Sequence, residues 1–331
     1  MSTPDSFRAF RIHASGEQHT AGIEQIDLGA LNPGEVDIQV AYSSVNYKDG
    51  LAGSGKGRIL RRSPLVGGID VAGHVIASRD PRWREGDAVL VTGCGLSETR
   101  DGGYSEYARL EADWVVPLPA GLSLRESMVL GTAGFTAALS LHRMLANGQR
   151  PEMGAIVVTG ATGGVGMLAI DVLTRAGFEA HAITGKPAHF DFLQSLGASQ
   201  CISRDGLHWG QRPLETPRWA GAIDNVGGGM LEGLTRVIHP YGNIASCGLA
   251  GGYELHTTVM PLIIRGVSLL GIASAGTAYD IRRQVWERLA SDWKPAHLDR
   301  IATREVGLDG LADVFATMMA GESFGRTVVV L

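Results

Sequence analysis

The sequence predicts an α/β protein of two domains, one built on a parallel, doubly wound sheet and the other rich in β structure. Three observations carry this. The 331 residues exceed the roughly 100–200 expected of one domain. From residue 155 onward, short apolar runs alternate with helix-like segments, as in a sheet whose strands are joined by helical crossovers. Before that point the chain reads as period-two runs broken by turn signals.

In the first part, "EVDIQVAYSSV" (35–45) alternates apolar and polar residues, and "AGHVIAS" (72–78) and "GDAVLVTG" (86–93) are strand-like. Asn32-Pro33-Gly34 supplies a turn. The pattern changes after "PLPAGLSLRES" (117–127), where Ser123 caps a helix running into "ESMVLGTAGFTAALSLHRML". Strands are then expected at 155–160, 179–184, 199–203, 219–226, 243–248 and 266–274, with helices between most of them, as at 164–177 and 188–198. Two amphipathic helices and the strand "GRTVVVL" close the chain and are too little for a third domain. The expected division is residues 1–122 with 275–331, and residues 123–274 inserted between them.

Composition removes several function classes. Apolar residues make up 44% and charged residues 19%, which excludes disorder. A net charge of −5 gives no field to attract nucleic acid or anionic lipid, so neither is an expected partner. No secretory signal and no apolar run of about 20 residues is visible, which makes the cytoplasm the expected compartment. Cys94, Cys201 and Cys247 are odd in number and far apart, as reduced thiols are. Glycine, at 46 residues, is well above the usual share of about 7% and implies many tight turns and close approaches.

"VVTGATGGVG" (157–166) sets Gly160, Gly163, Gly164 and Gly166 between an apolar strand and an amphipathic helix. Glycines there permit a sharp turn and let the backbone approach a pyrophosphate at the helix N-terminus. The next strand ends in "AITGK" (182–186), where Asp or Glu would bind both hydroxyls of an adenine ribose. Thr184, Gly185 and Lys186 stand there instead, and a hydroxyl and a cation suit a 2′-phosphate that a carboxylate would repel. NADPH is therefore the expected cofactor. Arg204, past the third strand, offers a second cation or is a solvated surface arginine. "SSVNYKDG" (43–50) reads by itself as a polar turn, and "GTAGFTA" (131–137) as a packed small-residue helix segment.

Together these stretches resemble the medium-chain dehydrogenase/reductase superfamily over nearly the whole chain, from "GEVDIQVAYSSVNYKD" through "GIDVAGHV", "GGYSEYA", "GTAGFTA" and "VTGATGGVG" to "CGLAGG" and "GRTVVVL". "NYKDGLAGSGKG", "GTAGFTAA", "SLGAS" and "CGLAGGYELHTTVMPLIIRGVSLLGI" resemble its YhdH/AcuI branch of NADPH-dependent acryloyl-CoA reductases and quinone-oxidoreductase-like proteins. The resemblance implies a GroES-like catalytic domain, a Rossmann cofactor domain, a cleft between them and a homodimer through the Rossmann edge strand, here "GVSLLGIAS" (266–274).

Zinc-dependent relatives carry a ligand Cys where Asn46 stands and a His-Glu pair where Ile69-Asp70 stands, so the resemblance implies a zinc-free enzyme with His74 structural. Without a metal to polarise an alcohol oxygen, the expected acceptor is a double bond conjugated to a carbonyl. The small-molecule substrate would be an acyl-CoA, acryloyl-CoA being the first choice, or else a quinone. A cofactor-binding sensor or scaffold without turnover is the reading from another class. The resemblance places Asn46 near the nicotinamide, makes Tyr47 or a water the proton donor, and has Lys48 and Asp49 orient the loop or pair with each other. It assigns the cofactor to Thr132, Thr136, Thr162, Gly163, Gly164, Val165, Cys247, Gly248 and Leu249, and directs Arg326 to a cofactor phosphate or to substrate. "ASAGTAY" (273–279) departs from the branch's proline-rich loop beside the expected acyl-CoA entrance, and Arg58, Arg61 and Arg62 are candidates to attract CoA phosphates.

Overall fold

A computed structural model of the chain describes residues 5–16 and 18–331. The chain forms two compact units, Met1–Thr132 with Ala275–Gln284 and Leu298–Leu331, and Ala133–Ser274 with Val285–His297. The first division falls ten residues beyond the boundary read from the sequence, and residues 285–297, given there to the first domain, lie in the second unit.

In the first unit, β1 (Phe7–Ser15) and β2 (Gln18–Ile26) form an antiparallel pair. β3 (Val36–Val45) leads into α1 (Tyr47–Ser54), followed by β4 (Leu65–Val66), β5 (Asp70–Ser78), β6 (Ala88–Thr92), β7 (Tyr107–Leu110) and β8 (Val116–Pro117). The period-two pattern of β3 buries Val36, Ile38 and Val40 against Val71, Val75, Val89 and Leu110. Each such side chain contributes about 1.5–3 kcal/mol.

α2 (Leu124–Ala146) is kinked at Gly131, whose φ of 49° and ψ of −155° are not helical. In the second unit follow β9 (Ile156–Thr159), α3 (Gly164–Arg175), β10 (Ala180–Thr184), α4 (Phe190–Ser195), β11 (Ala198–Ser203), β12 (Trp219–Asp224), α5 (Gly228–Val237), β13 (Ile238–Ser246), α6 (Met260–Arg265) and β14 (Ser268–Gly271). The strands pair in parallel in the order β11-β10-β9-β12-β13-β14. Chain order reverses at β9, the switch point where such sheets bind nucleotides. No α-helix joins β11 to β12: a 3-10 turn (Arg204–Gly206) and a loop connect them, and Trp209 lies so close to Gly233 that a Cβ there would meet the indole at 2.2 Å.

The chain closes with α7 (Tyr279–Leu289), α8 (Leu298–Ile301), β15 (Ala302–Val306), α9 (Leu311–Met319) and β16 (Arg326–Val330). β16 pairs antiparallel with β3, opposite Val45. α9 packs on α1, whose Gly50 and Gly53 leave room for Met318, Met319 and Phe315. A Cβ on Gly53 would meet the Phe315 ring at 2.3 Å, so α1 holds its place by lacking side chains on that face.

Candidate active site

The polar stretch at 43–50 is the end of β3 and the start of α1, and Asn46 is the residue that begins the helix. Asp49, in the helix's first turn, accepts from the Asn46 backbone N–H at 2.8 Å and from the Ile69 N–H at 3.0 Å. Both bonds satisfy donors that a strand end and a helix start leave open.

Asp70, fully buried at the start of β5, gathers the neighbouring donors. Its carboxylate accepts from Ser44 Oγ (2.5 Å), Asn46 Nδ2 (2.7 Å), Thr132 Oγ1 (2.6 Å) and the Thr132 N–H (3.0 and 3.1 Å). The kink in α2 turns the Thr132 N–H onto that carboxylate. A Cβ on Gly131 would lie 2.5 Å from both Asp70 Oδ2 and Ser44 Oγ, and the left-handed φ independently requires glycine.

Arg326, from β16, supplies the cation. It is 3% exposed and donates to Val129 O, Val45 O, Asn46 Oδ1 and Ser44 Oγ at 2.7–3.1 Å. Burial and the charge of Asp70 push the Asp49 carboxyl up to about 7. Burial likewise lowers the Arg326 guanidinium from its ordinary value, while Asp70 and Asp49 hold it up.

In the second unit, the turn after β9 carries Gly160 at φ 58°, and Gly163 precedes the first turn of α3. A Cβ on Gly166 would lie 2.4 Å from Gly160 O and 2.7 Å from Ala161 Cα, so only glycine lets this helix approach the turn. The N–H groups opening α3 have no intrahelical acceptor and no side chain caps them. At the end of β10 the Thr184 hydroxyl is buried, 3.0 Å from Thr162 Oγ1 and 3.2 Å from the Lys186 N–H. The Arg204 guanidinium lies against Gly185, where a Cβ would meet Nη2 at 2.8 Å. This side chain is 60% exposed and its Nε is 3.7 Å from Asp205. At the end of β13, the Cys247 thiol lies 3.1 Å from Asn225 Oδ1 and 3.3 Å from Asp224 O, and burial with the charge of Asp224 pushes it up to about 12. Cys247, Gly248 and Leu249 line a pocket of about 290 Å³ with Gly228 and Tyr253.

Several expectations change in detail. Lys48 and Asp49 do not pair: Lys48 binds Glu98, which also holds Arg61. Arg326 does not project toward a phosphate, because its guanidinium is buried among protein acceptors. The Thr184 hydroxyl faces Thr162, which leaves Gly185, Lys186 and Arg204 as the outward part of that corner. Thr132 is committed to Asp70, and Thr136 is buried with its carbonyl accepting from Ser140. Tyr47 is 45% exposed, and His74 is exposed on β5. Ser44 and Asp70 are the site residues that sequence reasoning missed; their only signal was that Asp70 stands where zinc relatives carry a ligand pair.

The residues here do not fit zinc. Ile69 is a buried aliphatic side chain, and the Asn46 amide and Asp70 carboxylate bind each other. Among the described residues no group of three or more His, Cys, Asp or Glu is placed to hold a metal ion.

A buried acid–amide–arginine cluster in one β-rich unit and a six-stranded parallel nucleotide-type sheet in the other define a dehydrogenase/reductase of two domains. Family models match twice: the alcohol dehydrogenase GroES-like domain over residues 32–120, and the zinc-binding dehydrogenase model over residues 164–291, a description whose metal these residues do not hold. The chain is 47% identical to "Putative quinone oxidoreductase YhfP" of Bacillus subtilis, over 98% of this chain and 99% of that one. It is 44% identical to "Acrylyl-CoA reductase AcuI" of Ruegeria pomeroyi, covering 93% and 94%. Among solved structures it is similar to the YhdH oxidoreductase of Salmonella enterica in complex with NADP (TM-score 0.94, 42% identity, 98% and 99% covered). It is also similar to Bacillus subtilis YhfP with NAD bound (TM-score 0.95, 46% identity, 100% of each chain). The chain belongs to the medium-chain dehydrogenase/reductase superfamily, in its zinc-free YhdH/AcuI-type branch.

Proposed function

We propose that this protein reduces the carbon–carbon double bond of an α,β-unsaturated acyl-CoA with NADPH, acryloyl-CoA to propionyl-CoA being the reference reaction. The observation that carries it is the Asp70 hub, which fixes Asn46 and Thr132 through hydrogen bonds where zinc relatives hold a metal. The relative named acrylyl-CoA reductase supports the same acceptor.

The first turn of α3 at Gly163, Gly164 and Val165 would hold the cofactor's pyrophosphate, and Gly185, Lys186 and Arg204 its 2′-phosphate. When bound, that cofactor supplies the hydride. The protein's part is to orient and to move a proton. Asp70 holds the Asn46 amide in one orientation, and Arg326 on Asn46 Oδ1 fixes its flip. Tyr47, at the start of α1 with its phenol exposed, donates the proton taken up at the substrate's α-carbon.

The second reading is a quinone reductase, favoured by the relative of that name. Assays of NADPH and NADH oxidation with acryloyl-CoA and 1,4-benzoquinone in parallel separate the two. NADPH-selective turnover of acryloyl-CoA is expected; preference for benzoquinone overturns the acceptor, equal use of NADH overturns the cofactor, and no turnover favours a binding role. Retention of full turnover by Tyr47→Phe removes the tyrosine from the mechanism.

The proposal includes a homodimer and a cytoplasmic setting. β14 ends the six-stranded sheet, and Tyr241, Ile263, Ile264 and Leu269 stand exposed around it, as an edge awaiting a second copy does. Cys94, Cys201 and Cys247 are free thiols, in keeping with a reducing compartment, and among the described residues no helix is long and apolar enough to cross a membrane.

A further inference from the structure

Asp224, the last residue of β12, is fully buried and joins the ends of three adjacent strands. Its carboxylate accepts from Thr159 Oγ1 (2.7 Å), at the end of β9. It also accepts from the N–H groups of Gly227 (2.9 Å) and Val226 (3.3 Å), which lead into α5. Its backbone carbonyl accepts from the N–H groups of Cys247 (2.9 Å) and Gly248 (3.2 Å), just past β13. Asn225 links the same strands. Its N–H donates to Thr159 Oγ1 (3.0 Å) and its Nδ2 to Thr159 O (2.7 Å), while the Cys247 thiol lies 3.1 Å from its Oδ1.

These bonds hold two glycine-rich turns together. A Cβ on Gly248 would lie 2.1 Å from Asn225 O, and one on Gly227, whose φ of 71° is left-handed, 2.4 Å from Gly252 O. The Gly251 N–H donates to Val226 O at 2.8 Å. The turns at 225–228 and 247–252 therefore meet backbone to backbone, and together they wall the pocket of about 290 Å³ beside Cys247. Thr159 immediately precedes Gly160, so the carboxylate that sets this wall is also bonded to the start of the glycine turn before α3.

The order of the sheet decides which half of a dinucleotide this wall would face. β10, with Thr184 and Lys186 at its end, lies on one side of β9, and β12 and β13 lie on the other. A dinucleotide with its pyrophosphate at α3 and its 2′-phosphate at the end of β10 extends its other half over β12 and β13. We propose that Asp224 is a positioning residue for the nicotinamide half of NADPH, fixing the pocket beside Cys247 at a set place relative to the pyrophosphate turn. This rests on the cofactor placement given under the proposed function.

Calorimetry on the full chain, comparing NADPH with 2′,5′-ADP, tests it. The second ligand carries the adenosine half alone, and with no acceptor present the outcome is independent of the acyl-CoA assignment. Asp224→Ala should weaken NADPH binding about tenfold, as loss of one or two hydrogen bonds does, and leave 2′,5′-ADP within about twofold. Thr159→Val removes the hydroxyl that links β9 to Asp224 and Asn225 and should lower the preference for NADPH about threefold. It decides the matter alone if Asp224→Ala does not fold. Loss of general structure would weaken both ligands together, and that result, like an unchanged ratio of the two affinities, overturns the positioning role. Wild-type protein that binds the two ligands equally tightly overturns the pocket as the nicotinamide site, and the role of Asp224 with it. Wild-type protein that binds neither overturns the cofactor placement itself.

Discussion

The two candidate regions solve opposite problems. The proposed cofactor turn around Gly160–Gly166 and Gly185 is made of backbone, with the Arg204 guanidinium at its solvent side, and its side chains mostly stay out of the way. The Asn46 region is made of side chains: two carboxylates, an amide, hydroxyls and a guanidinium, buried and bonded to one another. A site that awaits a large anion keeps its donors open, whereas one that must hold a single amide in place spends its donors internally. Substitutions in the two regions should therefore fail differently, one through stability and the other through affinity.

The largest effect should come from Arg326→Met, which leaves Asp49 and Asp70 buried without their cation. Loss of about 3–5 kcal/mol in urea unfolding is expected, and a change under 1 kcal/mol would show that the cluster does not depend on its arginine.

Next is pH. The Asp49 carboxyl titrates near 7 in the folded protein but near 4 in an unfolded chain, so the folded state binds the proton more tightly between those values. Its contribution to stability therefore falls as pH rises from about 4 to 7 and is level above that, by at most ~4 kcal/mol. Asp49→Asn cannot titrate, so the stability of wild type relative to this variant should decline across that window. Parallel pH profiles would refute the assignment.

The smallest effect on stability, and the one that sharpens the contrast, belongs to Arg204→Ala. The exposed guanidinium should cost under ~0.5 kcal/mol of stability when removed but weaken NADPH binding roughly 10–100-fold while leaving NADH binding unchanged. An equal loss for both cofactors would mean that Arg204 does not read the 2′-phosphate.

The same contrast explains what could be read beforehand. The cofactor turn was legible because glycine requirements are local: Gly166 must be glycine because of Gly160 and Ala161, a few residues away. β3, β5 and β9 to β14 announced themselves by period or apolar runs. α1 read as a polar turn because its helix rests on glycines that fit Phe315 and Met318, more than 260 residues later, which no local pattern reveals. The Asp70 hub was illegible for the same reason, since its partners Ser44, Asn46 and Thr132 come from three segments, and Arg326 bonds across separations of up to 282 residues. Helices were expected between most strands, and the β11–β12 connection, which carries Trp209 against Gly233, is one without an α-helix.

That arginine also imposes an order on biosynthesis. A chain emerging from the ribosome presents Asp49 and Asp70 long before Arg326 is made. Until β16 emerges to pair with β3, the two acids have no Arg326 to share their interior, and staying hydrated or protonated is cheaper than being buried as charges. The Asn46 loop is thus among the first parts translated and among the last that can close. A product terminated even a few residues before Arg326 would carry every residue of the nucleotide sheet and still leave the loop unlocked.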